Sequence, residues 1–137
     1  MLFRSNAVRA RRGLRALRIS HQLTAAADSH TLDMGRRGYF RHTSFDGTPF
    51  WKRVRRFYPA EGYSSWSAGE NLLWATAGID AHDAVRLWMA SPGHRANILN
   101  RSWRDIGISA RSFAAAPGTF QGCDVTIITT DFGVRTR

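Results

Sequence analysis

Ala84-Val85-Arg86-Leu87-Trp88-Met89-Ala90-Ser91-Pro92-Gly93-His94-Arg95-Ala96-Asn97-Ile98-Leu99-Asn100 reads as a helix, a hard break and a second, shorter helix. Asp80 caps the first helix, and Asp83 places negative charge in its first turn, where the helix dipole favours it. Ala81, Ala84, Val85 and Trp88 fall at i, i+3, i+4 and i+7, one apolar stripe. Pro92 has no N–H and its ring clashes with the turn before it, so the first helix stops there. Pro92 suits the first position of a new helix, with Ser91 as its cap. His94 then sits in that helix's first turn. The dipole disfavours imidazolium at this end, so the ring tends to the neutral form, which binds metal or acts as a base.

The segment Trp88 to Leu99 resembles the W-x-x-S-P-G-H-R-x-N-I-L segment of bacterial CAP-domain proteins, the SCP-like relatives of cysteine-rich secretory proteins, antigen 5 and plant pathogenesis-related proteins. Three further matches follow that family's order: Tyr39-Phe40-Arg41-His42-Thr43-Ser44-Phe45-Asp46-Gly47, then Gly69-Glu70-Asn71-Leu72, then Asp105-Ile106-Gly107-Ile108-Ser109. The resemblance covers most of the chain. It implies an α+β fold, a CAP-type α-β-α sandwich with a small, mainly antiparallel sheet between helices, as a single domain over residues 1–137.

A chain of 137 residues with 43% hydrophobic residues is long and apolar enough for one domain with a real core. No apolar run approaches bilayer length. The basic N-terminus is not followed by an apolar run, so no signal peptide is legible. The resemblance nevertheless places the protein outside the cell or in the envelope. Cys123 is the single cysteine and has no partner within the chain, a departure from the disulfide-rich animal and plant relatives. Net charge is +10, and Lys52 is the one lysine among twenty basic residues. Such charge suits an acidic partner, including an acidic cell-envelope component, or is simply a solvated surface, which we favour. No nucleic-acid motif accompanies the arginines, so nucleic acid is not the expected partner.

Residues 1–18 carry six arginines and no acid and read as a short helix, broken near Gly13, packed on the domain. Ser20 caps the next helix, whose stripe is Leu23, Ala26, Ala27, His30 and Met34, and Gly38 stops it. His30 reads there as a satisfied core residue. Thr48 and Pro49 are the cap and first position of another helix, with Phe50, Val54 and Phe57 inward and Lys52, Arg53, Arg55 and Arg56 toward water. Ile106, Ile108 and Ala110 alternate as a strand, and the β-branched run Val125 to Thr130 is its partner. Asp131 reads as a strand-end residue, with a polar role near the site as the other reading.

The resemblance carries a ligand cleft onto His42, Glu70, Ser91 and His94, with Ser91 standing where many eukaryotic relatives have a glutamate. Glu70 lies among apolar neighbours, so it needs a partner, for which histidine is the natural candidate, unless it only ties down a loop. His42, Glu70 and His94 form a plausible Zn²⁺ set, or equally a hydrogen-bonded network that shapes the cleft. Trp74 stands where relatives have a small residue, and its bulk narrows the cleft or changes what enters it. Cys123 reads as inert beside a strand. Ser91, as an N-cap, is already engaged with backbone amides. The resulting expectation is a secreted-type binding module for a small ligand, lipid or divalent metal. The alternatives are a metal-dependent hydrolase with Glu70 as base, and an interaction protein that binds acidic polymers through its arginines.

Overall fold

The computed structural model describes residues 1–137. Helix α1 (Leu2–Ala10) leads into strand β1 (Arg18–Ile19) and the long helix α2 (His21–Arg37). Helix α3 (Phe50–Phe57), strand β2 (Ser65–Ala75) and the helices α4 (Ala81–Met89) and α5 (Pro92–Ile98) follow. Strand β3 (Asp105–Phe113), a 3₁₀ turn (Gly118–Phe120) and strand β4 (Val125–Thr136) complete the chain. The sheet runs β1-β3-β4-β2, antiparallel except for the short β1–β3 pairing. The expected α+β sandwich is therefore present.

Local chemistry accounts for the helix boundaries. Ser20 accepts the Leu23 amide at the start of α2, and Gly38 ends that helix in the left-handed region at φ 72°. Asp80 accepts the Asp83 amide at 2.8 Å at the start of α4. Two caps differ from the sequence reading. Pro49, not Thr48, holds the N-cap position of α3, because the Thr48 amide is drawn back onto the Asp46 carboxylate at 2.9 Å. Ser91 holds the N-cap position of α5 but makes no capping bond, because its hydroxyl meets the His94 ring instead.

Alternation along the strands sorts side chains onto two faces. Val125, Ile127, Thr129 and Asp131 of β4 face α2 and α3, while Ile128 and Phe132 join Ala84, Val85, Trp88 and Ile98 under α4 and α5. Leu23, Ala26, Ala27, His30 and Met34 of α2 are all buried, as the stripe predicts. Helix and sheet meet closely at Gly107, where a Cβ would lie 2.1 Å from the Leu23 carbonyl carbon. Trp74 packs edge-on to Phe120 at 5.1 Å, so its bulk fills the α2-side core. Helix α1 is fastened by a fully buried arginine: Arg9 donates to the carbonyls of Ile98, Asn100 and Arg15 at 2.8–2.9 Å. Ile98 and Asn100 lie at the end of α5, whose carbonyls lack helical partners.

Candidate functional site

Strand β2 is an edge of the sheet, and the site is built on both of its faces. Glu70 and Asn71 are consecutive, so their side chains point to opposite layers. Glu70 turns toward α2 and α3 and is buried there. Its Oε1 accepts from His42 Nδ1 at 2.9 Å and from Arg53 Nη2 at 3.1 Å, and its Oε2 lies 2.9 Å from Arg53 Nη1. Asn71 turns toward α5, where its amide donates to the His94 carbonyl at 3.1 Å. The structure thus brings Glu70 to a histidine, as the sequence suggests, and adds an arginine that the sequence reading placed in water.

Arg53 is 4% exposed. It corrects that expectation because two carboxylates and a carbonyl await it beneath α3. Its guanidinium also donates to the His42 carbonyl at 3.0 Å and lies 3.8 Å from Asp131. Asp131 is no strand-end residue either, since β4 runs on to Thr136 and its carboxyl is fully buried directly opposite Glu70. Two buried carboxylates this close cannot both ionise. Burial, the Glu70 charge and a hydrogen bond to Glu70 push Asp131 well above the ordinary carboxylate value. Burial alone would raise Glu70 too. The hydrogen bonds from His42 and Asp131 and the Arg53 charge outweigh it, so Glu70 is held ionised, well below its ordinary value. Asp131 therefore keeps its proton, while the Glu70 charge is met by His42 and Arg53.

His30 joins this network rather than being only a core residue. Its Nε2 meets the Arg41 carbonyl at 2.8 Å and lies 4.0 Å from Glu70, and its Nδ1 is buried without a partner. Burial first, then the Arg53 charge, lowers it to about 4, so the ring is neutral and donates from Nε2. The layer therefore holds one cation, one anion, one neutral acid and one neutral imidazole.

The opposite layer is held by uncharged groups. Asn97 Nδ2 donates to the Glu70 carbonyl at 3.0 Å and to Asn71 Oδ1 at 2.9 Å, and Trp88 Nε1 donates to the Leu72 carbonyl at 3.1 Å. Gly69 makes room for this, since a Cβ there would lie 2.8 Å from Trp103 and 3.1 Å from Asn97. His94 is partly buried, and its Nδ1 sits 2.9 Å from Ser91 Oγ. Burial first, then the neighbouring His42 ring, lowers its pKa. The neutral form is as expected, with desolvation rather than the short helix as its main cause.

Both site histidines are thus anchored through Nδ1, His42 on a carboxylate and His94 on a hydroxyl. Glu70 already serves His42 and Arg53, and the three residues named from the sequence do not draw their ligand atoms within 4.8 Å of one another. The set that does is Asp80, His82 and Asp83 at the start of α4, where Asp80 acts as the cap. Cys123 lies exposed just before β4 and takes no part.

The same arrangement of segments occurs in other proteins. The family model described as the cysteine-rich secretory protein family, CAP, matches residues 2–125. The uncharacterised protein YkwD of Bacillus subtilis is 37% identical over 105 residues, which make up 76% of this chain and 38% of that protein. The uncharacterised membrane protein YlbC of the same organism is 30% identical over 105 residues, 76% of this chain and 28% of that protein. The chain therefore spans well under half the length of these relatives. An extracellular protein of Bacillus anthracis containing an SCP domain superimposes with a TM-score of 0.70 at 27% identity, over 97% of this chain and 38% of that one. An outer surface protein of Borrelia burgdorferi shares the fold, with a TM-score of 0.73 at 23% identity over 96% of this chain and 87% of that one. No helix of this chain is long and apolar enough to cross a membrane. With the family match running from residue 2 to residue 125, this chain belongs to the CAP superfamily, in its bacterial branch.

Proposed function

We propose that the chain is a binding module of the cell exterior or envelope, and that His42 and His94 hold its ligand, a divalent metal such as Zn²⁺ or a small molecule that includes lipid among its candidates. The observation that carries this reading is the anchoring of both rings through Nδ1, at 2.9 Å to Glu70 and 2.9 Å to Ser91. A metal-binding imidazole commonly has its other nitrogen held by a carboxylate or another polar group, which fixes the ring and directs the remaining nitrogen to the metal. In this reading Glu70 orients His42 and is not itself a ligand. A metal held there would supply Lewis acidity. Glu70 is poorly suited to be a general base, because an efficient base has a pKa near the working pH and Glu70 is held far below it by His42, Asp131 and Arg53. The Ser91–His94 pair has the distance of a hydroxyl and its base, but nothing orients the ring from behind as nucleophilic catalysis requires. Binding is therefore favoured over hydrolysis.

Calorimetric titration of metal-stripped protein with Zn²⁺ tests the reading. One saturable site in the wild type, lost in both His42→Ala and His94→Ala, is the expected result. Absent binding, or equal binding in all three folded proteins, overturns the metal form of the proposal.

A second reading has its own support. Helices α1 and α4 enclose a groove of about 330 Å³ lined by Arg4, Arg11, Arg12, Arg86 and Arg95, with no carboxylate in its walls and Val8, Val85 and Met89 between the charges. Such a groove suits an acidic envelope polymer. Binding there is expected to fall steeply with salt and to survive loss of both histidines, and a shallow salt dependence measured with the wild type would count against it.

A further inference from the structure

Helix α1 turns polar side chains inward and its largest apolar one outward. Ser5 and Arg9 are buried, and Asn6 pairs with the Leu17 backbone in both directions, at 2.8 and 3.1 Å. Leu2 and Val8 rest against the core, but Phe3 is 76% exposed. Phe3, Ala7 and Ala10 recur at helical spacing on the outer face, beside Arg4 and, at the C-cap, Arg11. The buried Arg9, bonded to three carbonyls, fixes which face points out. A helix that only had to pack would turn its aromatic residue toward the core.

The surroundings of Phe3 are cationic. Arg4 and Arg11 line the groove between α1 and α4 together with Arg12, Arg86 and Arg95. Of these five, only Arg86 has a carboxylate within ion-pair distance, that of Asp83 at 3.6 Å. The sequence has no acid before Asp28 and none between Asp83 and Asp105. Asp80 and Asp83, at the start of α4, are thus the acids that α1, α4 and α5 bring to this layer.

An acidic polymer in solution would satisfy the arginines and leave Phe3 in water. An anionic bilayer satisfies both, because arginines reach its phosphates while an adjacent ring enters the boundary between headgroups and acyl chains. We infer that the outer face of α1 seats the protein on an anionic phospholipid bilayer, with Phe3 entering the interface and Arg4, Arg11 and the groove arginines behind them meeting lipid phosphates. The bilayer site shares its arginines with the polymer-binding groove described above, and it involves neither His42 nor His94.

The test is cosedimentation of the full chain with vesicles of phosphatidylcholine alone and of phosphatidylcholine mixed with phosphatidylglycerol, beside binding of soluble polyphosphate. Binding to the mixed vesicles and not to phosphatidylcholine alone is expected. Phe3→Ser is expected to weaken vesicle binding by about tenfold, as loss of one buried aromatic ring does, and to leave polyphosphate binding unchanged. Arg4→Ala/Arg11→Ala is expected to weaken vesicle binding by about tenfold or more. Arg36→Ala/Arg56→Ala removes the same charge from exposed positions of α2 and α3 and is expected to cost far less. Phe3→Trp is expected to bind like the wild type and to show quenching by acyl-brominated lipid that the wild type, whose five tryptophans lie outside α1, does not. Equal binding to both kinds of vesicle, equal losses from the two arginine pairs, unchanged vesicle binding by Phe3→Ser, or equal quenching of Phe3→Trp and wild type would each overturn the inference. A wild type that binds polyphosphate but neither kind of vesicle would also overturn it, and would leave the polymer reading standing.

Discussion

Glu70 and Asn71 are one residue apart, yet the two layers they enter are held together differently. On the α2–α3 side Glu70, Asp131, Arg53 and His30 form a buried set whose stability depends on which members carry protons. On the α4–α5 side Asn71, Asn97 and Trp88 meet carbonyls and one another, and no proton has to be placed. The neutral layer needs only correct geometry. The charged layer needs geometry and charge balance together, so losing one member strands another in a medium that cannot solvate it. Arginine itself does not make the difference: Arg9, equally buried, is held entirely by carbonyls.

Substitution on each side should expose this asymmetry. Arg53→Met keeps an apolar stem but leaves the Glu70 charge buried without its cation, and is expected to cost about 3–5 kcal/mol in denaturant unfolding. Asn97→Ala leaves the Glu70 carbonyl and Asn71 Oδ1 without their donor, at a cost of about 1–3 kcal/mol. Equal losses from the two variants would erase the distinction between the layers.

A smaller effect, with pH as the variable, sharpens the comparison. Asp131 is raised, so the fold keeps a proton that the unfolded chain releases above its ordinary value of 3.8. Its contribution is present below that pH and is lost as pH rises toward the raised value. Glu70 is lowered, and its contribution is present above 4.5 and lost as pH falls through its lowered value. His30, lowered to about 4 from 6.5, contributes above 6.5 and loses that contribution as pH falls toward 4. Asp131→Asn replaces the protonated carboxyl with an amide and removes the loss at high pH. The variant is expected to be more stable than the wild type by on the order of 1 kcal/mol at pH 8, and by less at pH 5. A stability difference that does not grow with pH would show that Asp131 is ionised in the fold.

Most of the architecture is a local property and was readable. The α2 stripe, the caps Ser20, Gly38 and Asp80, and the break at Pro92 follow from periodicity and backbone chemistry that need no tertiary partner. Arg53 and Asp131 are misplaced by a reading that lets residue type overrule position. Phe50, Arg53, Val54 and Phe57 stand at i, i+3, i+4 and i+7, so Arg53 completes the apolar stripe of α3. Asp131 continues the inward alternation of Val125, Ile127 and Thr129. His30 lies on the stripe of α2. Each polar residue occupies a core position, and that placement was the available signal. What the sequence could not supply was their mutual partnership, because α2, α3, β2 and β4 meet only in the folded chain. Ser91 differs in kind: its hydroxyl had two local partners to choose from, and the ring won over the backbone.

One consequence follows from where Trp88 and Asn97 reach. Strand β2 ends the sheet, and an edge strand offers its carbonyls and amides to any passing chain. The Trp88 indole and the Asn97 amide occupy the carbonyls of Leu72 and Glu70, two residues apart, which an added strand would otherwise bond in series. Helices α4 and α5 therefore close this edge to strand addition, Trp88 of one and Asn97 of the other occupying its carbonyls while His94 faces the site.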